Sequence, residues 1–546
     1  MKKSVKTIIE QVVQRIGGEG ISVELEIPRE EHFGDLSTPV AMGLAKALRQ
    51  SPRKIAEEIV RSLGTLEAFE KIEIAGPGFI NFTFSRKYLS AQFMDLLKHK
   101  KAFLREEVGK GKRIQIEFVS ANPTGPLHLG HGRGAAVGAA LSNLLEAGGY
   151  EVEREYYIND AGRQVKILGL SVFAKYQQFL GIEYPFPEDG YRGGYIEGIA
   201  RKIIDLQGKR YSETSFQDAA EFFTDFSYRE MLREIEKDLK DFGIVFDAWQ
   251  SERELYTTND VENAVDDLRH RRHLYEKDGA LWFQATRFHD DKDRVIVKSD
   301  GEYTYFASDI AYHRKKIEKG FDEIVDIWGA DHHGYISRLK AVIEALGYPP
   351  DHLRVLLVQM VTLLRGGKPV QMSKRAGEFV TLREVIDEVG ADTTKFIFLT
   401  RRPDSHLEFD LEVAKEQSAE NPVFYVQYAN ARINSIFGKA GEKGIRPEDL
   451  QEADTALLSA PEELRMVKKL LTYPMIFTGA VLSREPHRIT FYLQELAALF
   501  HPYYNRYRVI TEDAELTKAR LALCDAVRIA LRDGLEILGL SAPEKM

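Results

Sequence analysis

The sequence predicts an α/β protein with a central region built on a parallel sheet with insertions, an α+β region before it and an all-α bundle after it. Three observations predict this class. Residues 114–158 follow a strand, turn, helix, strand pattern. The N-terminal residues contain amphipathic helical segments at 41–49 and 55–63 and then short strands, and the periodicity after Pro403 is almost wholly helical. We therefore expect regions at residues 1–108, 109–405 and 406–546.

A β-α-β unit opens the central region. Residues 114–120 alternate and are rich in branched and aromatic side chains, which predicts a strand, and residues 122–126 form a turn with proline and glycine. A helical pattern at 129–147 stops at Gly148, and residues 150–158 return to a strand pattern. The helix therefore begins at the carboxyl end of a parallel strand, where its dipole and N–H groups favour an anion.

His128 and His131 lie at that helix N-terminus. They are three residues apart and share a face, and Gly130 leaves room for a flat base or ribose on the backbone. The alternative is a glycine-rich helix that only packs closely on the sheet. A dinucleotide site is disfavoured because Gly130-His-Gly132-Arg-Gly134, although followed by acidic residues, departs from G-x-G-x-x-G. A G-x-x-x-x-G-K-[ST] phosphate loop is absent from the sequence.

A second short motif, Met372-Ser373-Lys374, follows much later in the chain. Two imidazoles and a mobile lysine can grip one triphosphate from opposite sides. Either motif alone would be weak, since short motifs recur by chance. Together and in this order they indicate nucleotide chemistry.

The other elements follow from periodicity. Residues 165–250 are largely helical and are predicted to be an insertion between the halves of the sheet. The sheet is predicted to resume at residues 295–305, 324–327 and 355–360. The all-α bundle is predicted to contain helices at residues 423–437, 463–472, 487–501 and 518–540.

Composition limits the class of function. The net charge of -9 argues against nucleic-acid binding driven by global charge, so RNA would have to meet local basic patches. The one cysteine, Cys524, excludes an internal disulfide and a cysteine-cluster zinc site. The sequence has no signal-peptide pattern and no run of about 18 apolar residues. We therefore expect a cytoplasmic protein with no membrane partner.

Six stretches, in order and spread over nearly the whole chain, carry a family resemblance. They are SANPTGPLHLGH at 120–131, YINDAGRQ at 157–164, FDAWQSE at 246–252, YFASD at 305–309, WGADHHG at 328–334 and FHPYYNRYR at 500–508. The chain resembles the class I aminoacyl-tRNA synthetases, whose signatures are written HIGH and KMSKS, and among them the bacterial-type arginyl-tRNA synthetases.

The second signature departs from the family pattern. Gln371 and Arg375 replace its first lysine and its final serine. Family members with a degraded motif tend to carry a compensating lysine just before the first histidine, and here that place is Gly125. The lysine role therefore falls to Lys374, with Lys368 as an accessory candidate.

The resemblance implies a Rossmann-type catalytic domain, an N-terminal domain that touches the outer corner of a tRNA, and a C-terminal bundle that holds the anticodon. The substrates would be L-arginine, ATP and arginine tRNA, and the first step would need bound tRNA. Mg²⁺ would arrive with ATP rather than be held by the protein, and we expect a monomer. The ATP site would comprise His128, Gly130, His131, Met372, Ser373 and Lys374. The two histidines would stabilise the attacked α-phosphoryl group, and the lysine the departing pyrophosphate.

A guanidinium needs carboxylates at fixed distances, and the family's arginine pocket maps onto Glu117, Tyr305 and Asp309. Asn122 matches the residue that reads the backbone amine and carboxylate of the substrate. Asp331 and His332 would lie beside the substrates. The alternatives are that Glu117 is an edge-strand acid facing solvent and that Asp309 forms an ordinary helix-surface pair with His313.

Further patterns leave alternatives open. Asp331-His332-His333 lacks a complementary set of metal ligands, and residues 290–293, before a hairpin turn at 299–302, indicate a solvated charged turn. Tyr503, Tyr504 and Tyr507 interleave with Arg506 and Arg508, and these residues could stack on single-stranded bases or form an amphipathic helix with a solvated basic face. Two other functions remain: another HIGH-type nucleotidyltransferase, which needs no anticodon-binding bundle, and a non-catalytic RNA-binding paralogue, which needs no pyrophosphate-binding lysine.

Overall fold

The computed structural model describes residues 2–18, 20–28, 30–64, 66–370 and 380–546. Its N-terminal part joins a three-stranded antiparallel sheet, in the order β1-β3-β2, to helices. The predicted α+β character is confirmed. The elements are α1 (Lys2–Arg15), β1 (Leu36–Thr38), α2 (Val40–Leu48), α3 (Pro52–Leu63), β2 (Phe69–Ala75), β3 (Phe79–Phe84), α4 (Arg86–His99) and α5 (Lys101–Leu104).

The central part begins with the predicted β-α-β unit and continues through a helical insertion. These elements are β4 (Arg113–Glu117), α6 (Leu129–Ala147), β5 (Glu151–Ile158), α7 (Arg163–Phe179), α8 (Gly194–Gln207), α9 (Phe216–Asp241), β6 (Ala248–Ser251), α10 (Glu252–Thr257) and α11 (Asp260–His270). The insertion is confirmed as helical, but its predicted last residues belong to β6, a strand of the main sheet.

The rest of the central part completes the main sheet and adds two small ones. These elements are β7 (Leu274–Lys277), β8 (Ala280–Phe283), β9 (Arg294–Val297), α12 (Tyr305–Glu318), β10 (Glu323–Gly329), α13 (Ile336–Ala345), β11 (Leu353–Val358), β12 (Val361–Arg365), β13 (Lys368–Pro369), α14 (Leu382–Val389), α15 (Ala391–Phe398), β14 (Leu407–Asp410) and α16 (Leu411–Lys415). Short 3₁₀ turns interrupt the chain, one of them at Ala330–Tyr335.

The main sheet has the order β11-β10-β4-β5-β6, and all of its strands are parallel. Its central strand, β4, is followed directly by the turn and helix that carry the histidines. Helix α6 packs so closely on the sheet that a Cβ added at Gly138 would meet the ring of Phe118 at 2.2 Å. The carboxyl ends of β4, β5 and β10 therefore open onto one edge, where parallel sheets place their ligands.

Two predicted strands need correction. Residues 295–305 do not resume the main sheet, because β9 pairs with the β7–β8 hairpin in a separate antiparallel sheet and Tyr305 already begins α12. The strand predicted at 114–120 ends at Glu117, since Val119 and Ser120 adopt left-handed backbone angles, with φ of 70° and 39°. That conformation is costly for residues other than glycine and is typical of functional sites.

The prediction of a solvated charged turn at residues 290–293 is wrong for Asp290. Its side chain is buried and accepts hydrogen bonds from Arg294 at 2.7 Å and from Ser337 at 3.1 Å. It thereby ties the small antiparallel sheet to α13. The hairpin turn at 299–302 is confirmed, with the N–H of Lys298 donating to the carbonyl of Glu302 at 2.9 Å.

The all-α bundle is confirmed, with each helix near its predicted position. Its helices are α17 (Pro422–Glu442), α18 (Pro461–Ser483), α19 (His487–Arg506) and α20 (Ala514–Ile537). One continuous apolar core runs from the N-terminal sheet through α6 into this bundle. No helix in the described ranges is long and apolar enough to cross a membrane.

Candidate active site

The two histidines form the N-terminus of α6. His128 is its N-cap residue, and its Nδ1 accepts the N–H groups of Gly130 at 3.1 Å and His131 at 3.4 Å. His131 Nδ1 accepts the N–H of His128, and the two rings stack with centroids 3.6 Å apart. Because Nδ1 accepts in both rings, the ring proton of each neutral imidazole belongs on Nε2, which can donate to a phosphate oxygen.

Gly130 is required by the same geometry. A Cβ at this position would lie 2.9 Å from Cε1 of His128. Any side chain here would push the His128 ring out of its place against the helix terminus. The absence of a side chain therefore serves the histidine itself, in addition to the room predicted for a nucleotide.

Described residues lie on both sides of the second motif, and those that follow it contact the histidine segment. Met372, Ser373 and Lys374 lie outside the described residues. Before them, Val370 donates to the carbonyl of Leu363 at 2.9 Å, which holds the β12–β13 hairpin. After them, Thr381 forms a β-bridge with His128, and Leu382 donates to the carbonyl of Leu127 at 2.7 Å.

A cavity of about 400 Å³ opens at the carboxyl edge of the main sheet, beside the left-handed residues that end β4. It is enclosed by β4, β5, β10, α10 and α12 and by the 3₁₀ turn after β10. The side chains that carry the argument below are Glu117, Tyr157, Glu252, Tyr305, Asp309 and His332. Carboxylates predominate among its charged groups, so the cavity suits a cation.

Glu252 is a pocket carboxylate that the sequence analysis did not assign. It follows β6 directly, is buried, and accepts a hydrogen bond from Ser308 on one oxygen at 3.0 Å. Its other oxygen, Oε2, is buried without a hydrogen-bond partner. Burial raises the pKa of Glu252 to about 7. Its place at the end of the FDAWQSE stretch was the signal that could have identified it.

Tyr305 and Asp309 are brought together as predicted, one turn apart on α12 and on the same cavity. The Asp309 carboxylate accepts the hydroxyl of Tyr335, and burial raises its pKa. The alternative pair with His313 is wrong: the His313 ring bonds the backbone carbonyl of Asp309 at 2.8 Å and the carboxylate of Asp326 at 3.0 Å. The Asp309 carboxylate is thus oriented by Tyr335.

Glu117 has a protein partner already. It lies on the central strand, so the edge-strand alternative is wrong, and its carboxylate accepts from Lys316 and from Ser120. Lys316 also binds Asp326 at 2.8 Å. Burial opposes ionisation of Asp326, but Lys316 and His313 together lower its pKa to about 2. The buried lysine therefore neutralises much of the charge beneath the pocket.

The other predicted arginine ligands are dispersed. Asn122 is exposed and donates to Gln164 at 2.7 Å, away from the residues that line the cavity. His332 lines the cavity, whereas Asp331 is exposed on the turn beside it. In the part of the chain that the structure describes, no group of three or more His, Cys, Asp or Glu side chains is placed to hold a metal ion.

The prediction that Tyr503 stacks on a base is wrong, because its side chain is fully buried and its ring packs on Tyr507 at 5.2 Å. Arg506 and Arg508 are exposed, as a contact with RNA requires, although Arg506 is paired with Glu462.

An aromatic ladder that includes Tyr504, one of the predicted tyrosines, is partly exposed on the bundle. Phe424 and Tyr428 stack at 5.5 Å along α17, and the Arg432 guanidinium lies 4.3 Å from the Tyr428 ring and 5.0 Å from that of Tyr504. All four are half-buried. Such alternation of rings and a guanidinium is what unpaired bases stack on.

Three family models match the chain. They are the arginyl tRNA synthetase N-terminal domain over residues 2–84, the catalytic domain of class I tRNA synthetases (R) over 92–436, and the DALR anticodon-binding domain over 426–546.

Individual proteins agree along their full length. An arginine–tRNA ligase of Citrifermentans bemidjiense is 51% identical over 531 residues, covering 97% of this chain and 96% of its own. One of Geobacillus kaustophilus is 47% identical and covers 100% and 99%. The fold of Thermus thermophilus arginyl-tRNA synthetase matches all of both chains with a TM-score of 0.80 at 22% identity. With its catalytic, N-terminal and anticodon-binding models all matched, this chain belongs to the arginyl-tRNA synthetase family.

Proposed function

We propose that this arginine–tRNA ligase binds the guanidinium of its substrate in the cavity between α10 and α12, with Glu252 and Asp309 as the carboxylates that read it. The observation that carries this assignment is the buried Oε2 of Glu252, which has no hydrogen-bond partner. A buried carboxylate oxygen without a partner costs free energy. A planar cation with five donors supplies the missing bonds.

Glu117 takes a supporting role in this proposal. Because Lys316 and Ser120 already bind it, its carboxylate has less capacity left for a substrate. It holds Lys316 and, through Ser120, the turn that ends β4. Tyr305 is exposed at the mouth of the cavity, where its ring shields the bound substrate from solvent.

Activation follows from the helix terminus. The arginine carboxylate attacks the α-phosphorus of ATP in line, forming arginyl-adenylate and expelling pyrophosphate. The Nε2–H groups of His128 and His131 donate to the phosphoryl oxygens, where negative charge builds. Lys374 neutralises the departing pyrophosphate, with Mg²⁺ arriving on ATP. A terminal ribose hydroxyl of tRNA then attacks the adenylate carbonyl, and AMP leaves.

For tRNA we infer that the ladder Phe424, Tyr428, Arg432 and Tyr504 receives anticodon bases, with Arg506 and Arg508 nearby on the backbone phosphates. The N-terminal region would contact the outer corner of the same tRNA. The domain limits 1–108, 109–405 and 406–546, the monomeric state and the cytoplasmic location stay predictions from the sequence.

A pair of variants tests the assignment. Asp309→Asn should raise the KM for arginine at least about tenfold, because a hydrogen bond to a charged group contributes about 1.5 to 3 kcal/mol. Its KM for ATP should stay near that of the unchanged enzyme.

Lys374→Ala should instead lower kcat by about 10² to 10³ with little change in the KM for arginine, since the lysine acts mainly in the transition state.

Both variants are measured by aminoacylation and by tRNA-dependent pyrophosphate exchange, with arginine and ATP titrated separately. An Asp309→Asn enzyme whose arginine KM stays within about threefold of wild type, a change under about 1 kcal/mol, would place the guanidinium elsewhere. Near-normal kcat in Lys374→Ala would transfer the lysine role to Lys368 or another cation.

A further inference from the structure

The Tyr157 hydroxyl is a buried polar group in the wall of the cavity. Tyr157 lies on β5, and its Oη is buried without a hydrogen-bond partner although the cavity wall contains it. Its backbone is fixed, because its N–H donates to Ser120 Oγ at 3.1 Å and Ser120 in turn donates to Glu117. A buried phenol usually finds a partner, so this one is held ready for a group that enters the cavity.

The ring of Tyr157 is fixed as firmly as its backbone. It packs on the ring of Tyr312 with centroids 4.4 Å apart, and the Tyr312 hydroxyl is held by the buried Glu155. The hydroxyl therefore cannot swing to another partner without disturbing a second buried ring. Glu252, Asp309 and Glu117 are the charges that act on it most, and each of them, with burial, raises its pKa.

The charge environment decides which kind of group the hydroxyl meets. The neighbouring carboxylates only accept, so a substrate group that binds them must donate. A guanidinium has five N–H donors, and a phenol oxygen can accept one that the carboxylates leave over. We propose that Tyr157 is a specificity residue of the arginine site, whose hydroxyl accepts a guanidinium N–H.

This inference rests on the proposed arginine pocket, and the test separates the two. Tyr157→Phe removes one oxygen and keeps the ring. Its KM for arginine should rise roughly tenfold or more, while kcat and the KM for ATP change by less than about twofold, because the lost bond is to a charged group and is present before and during reaction.

Agmatine, which carries the guanidinium but no carboxylate, identifies the end of the substrate that the hydroxyl meets. Its inhibition constant against arginine should rise in Tyr157→Phe by the same factor as the arginine KM. A rise for arginine alone would place the hydroxyl at the α-carboxyl end and overturn the inference. An arginine KM within about twofold of wild type would overturn it too.

Tyr156→Phe is the matched control. Tyr156 is the preceding residue on β5, points to the other side of the sheet, and donates to the carbonyl of Ala121 at 2.8 Å. It should lower the melting temperature with arginine KM within about twofold of wild type. If Asp309→Asn raises the arginine KM and Tyr157→Phe does not, the pocket stands and only the role of Tyr157 is lost. If neither does, the pocket itself is wrong.

Discussion

At the scale of single residues, the proposed arginine site contains polar groups that the protein buries at a cost in stability. Glu252 is buried next to β6 with one oxygen bonded to Ser308 and the other without a partner. Stability alone would favour an amide or an apolar residue there. In the proposed site, a bound guanidinium compensates this cost, because its positive charge and its N–H donors complete the missing hydrogen bonds of the carboxylate.

Glu252→Gln should separate stability from function. Burial in the folded protein raises the pKa of Glu252 to about 7. Because the pKa of Glu252 is higher in the folded than in the unfolded chain, protonation of Glu252 stabilises the folded state, fully so at pH values below the unfolded pKa. This contribution is lost as pH rises through about 7. The variant should therefore gain melting temperature relative to wild type at pH 8 more than at pH 5. The ceiling is roughly 3 kcal/mol, at about 1.4 kcal/mol for each pKa unit.

The same variant should lose most of its affinity for arginine. In the unchanged enzyme kcat/KM for arginine should fall as pH drops below about 7, because Glu252 takes up a proton, and Glu252→Gln should remove that inflection. Thermal melts and arginine titrations at pH 5 to 8 measure both effects. A wild-type pH profile without an inflection near neutrality would contradict the assignment.

At the scale of elements, α6 joins the histidine segment to the sheet that precedes the second motif. Its N-terminus carries the histidines, and one turn later the buried guanidinium of Arg133 donates to the carbonyls of Gln359, Arg402 and Ser405 at 2.8 to 2.9 Å. Gln359 precedes β12, and Ser405 precedes β14, the parallel partner of β12. Arg133 thus fixes the base of the sheet from which the second motif extends.

Arg133→Met should lower the melting temperature and kcat together. Three backbone carbonyls would each lose a hydrogen bond from a buried guanidinium, at a cost of about 1.5 to 3 kcal/mol each, and the β12–β14 sheet would lose its anchor to α6. Arg402→Met is the control, because Arg402 gives Arg133 only its backbone carbonyl and its own side chain is exposed. Thermal melting and pyrophosphate exchange of both variants measure this. Equal effects of the two substitutions would rule out the anchoring role.

At the scale of the whole molecule, an ion pair connects the N-terminal region to α20 of the C-terminal bundle. Arg105, just after α5, donates to Asp533 of α20 at 2.8 Å, and Tyr473 of α18 donates to the same carboxylate at 2.6 Å. The Asp533 side chain is fully buried. Both proposed tRNA-contacting regions therefore share one buried ionic contact, which holds them at a fixed separation.

Arg105→Ala should loosen this connection, because removal of one partner from a buried ion pair costs about 3 to 5 kcal/mol. Burial already raises the pKa of Asp533, with Arg105 opposing that rise. Loss of Arg105 should raise it further, so the destabilisation should be larger at pH 8, where the bare carboxylate must ionise, than at pH 5. Melting temperatures at the two pH values measure it, and Arg105→Ala combined with Asp533→Asn should recover part of the loss. A pH-independent effect would contradict the burial of an unpaired charge.

The sequence by itself determined the local structure of the segment that carries the two histidines. The pattern at 129–147 gave the bounds of α6 to the residue, and the spacing of His128 and His131 placed both rings on one face. These features are local, because helix periodicity and a cap depend on neighbours within one or two turns. The four bundle helices were likewise legible from apolar spacing alone.

Only the tertiary structure decided which side chains meet. Lys316 binds Glu117 across 199 residues of sequence, and Glu252 reaches the cavity because β6 lies at the edge of the main sheet. Tyr503 looked available for RNA, yet α18 and α20 cover it. A periodic pattern predicts that a helix has an apolar and a polar face. Whether a given polar side chain is buried, paired or unpartnered depends on the elements that pack against that helix, and these come from distant parts of the chain.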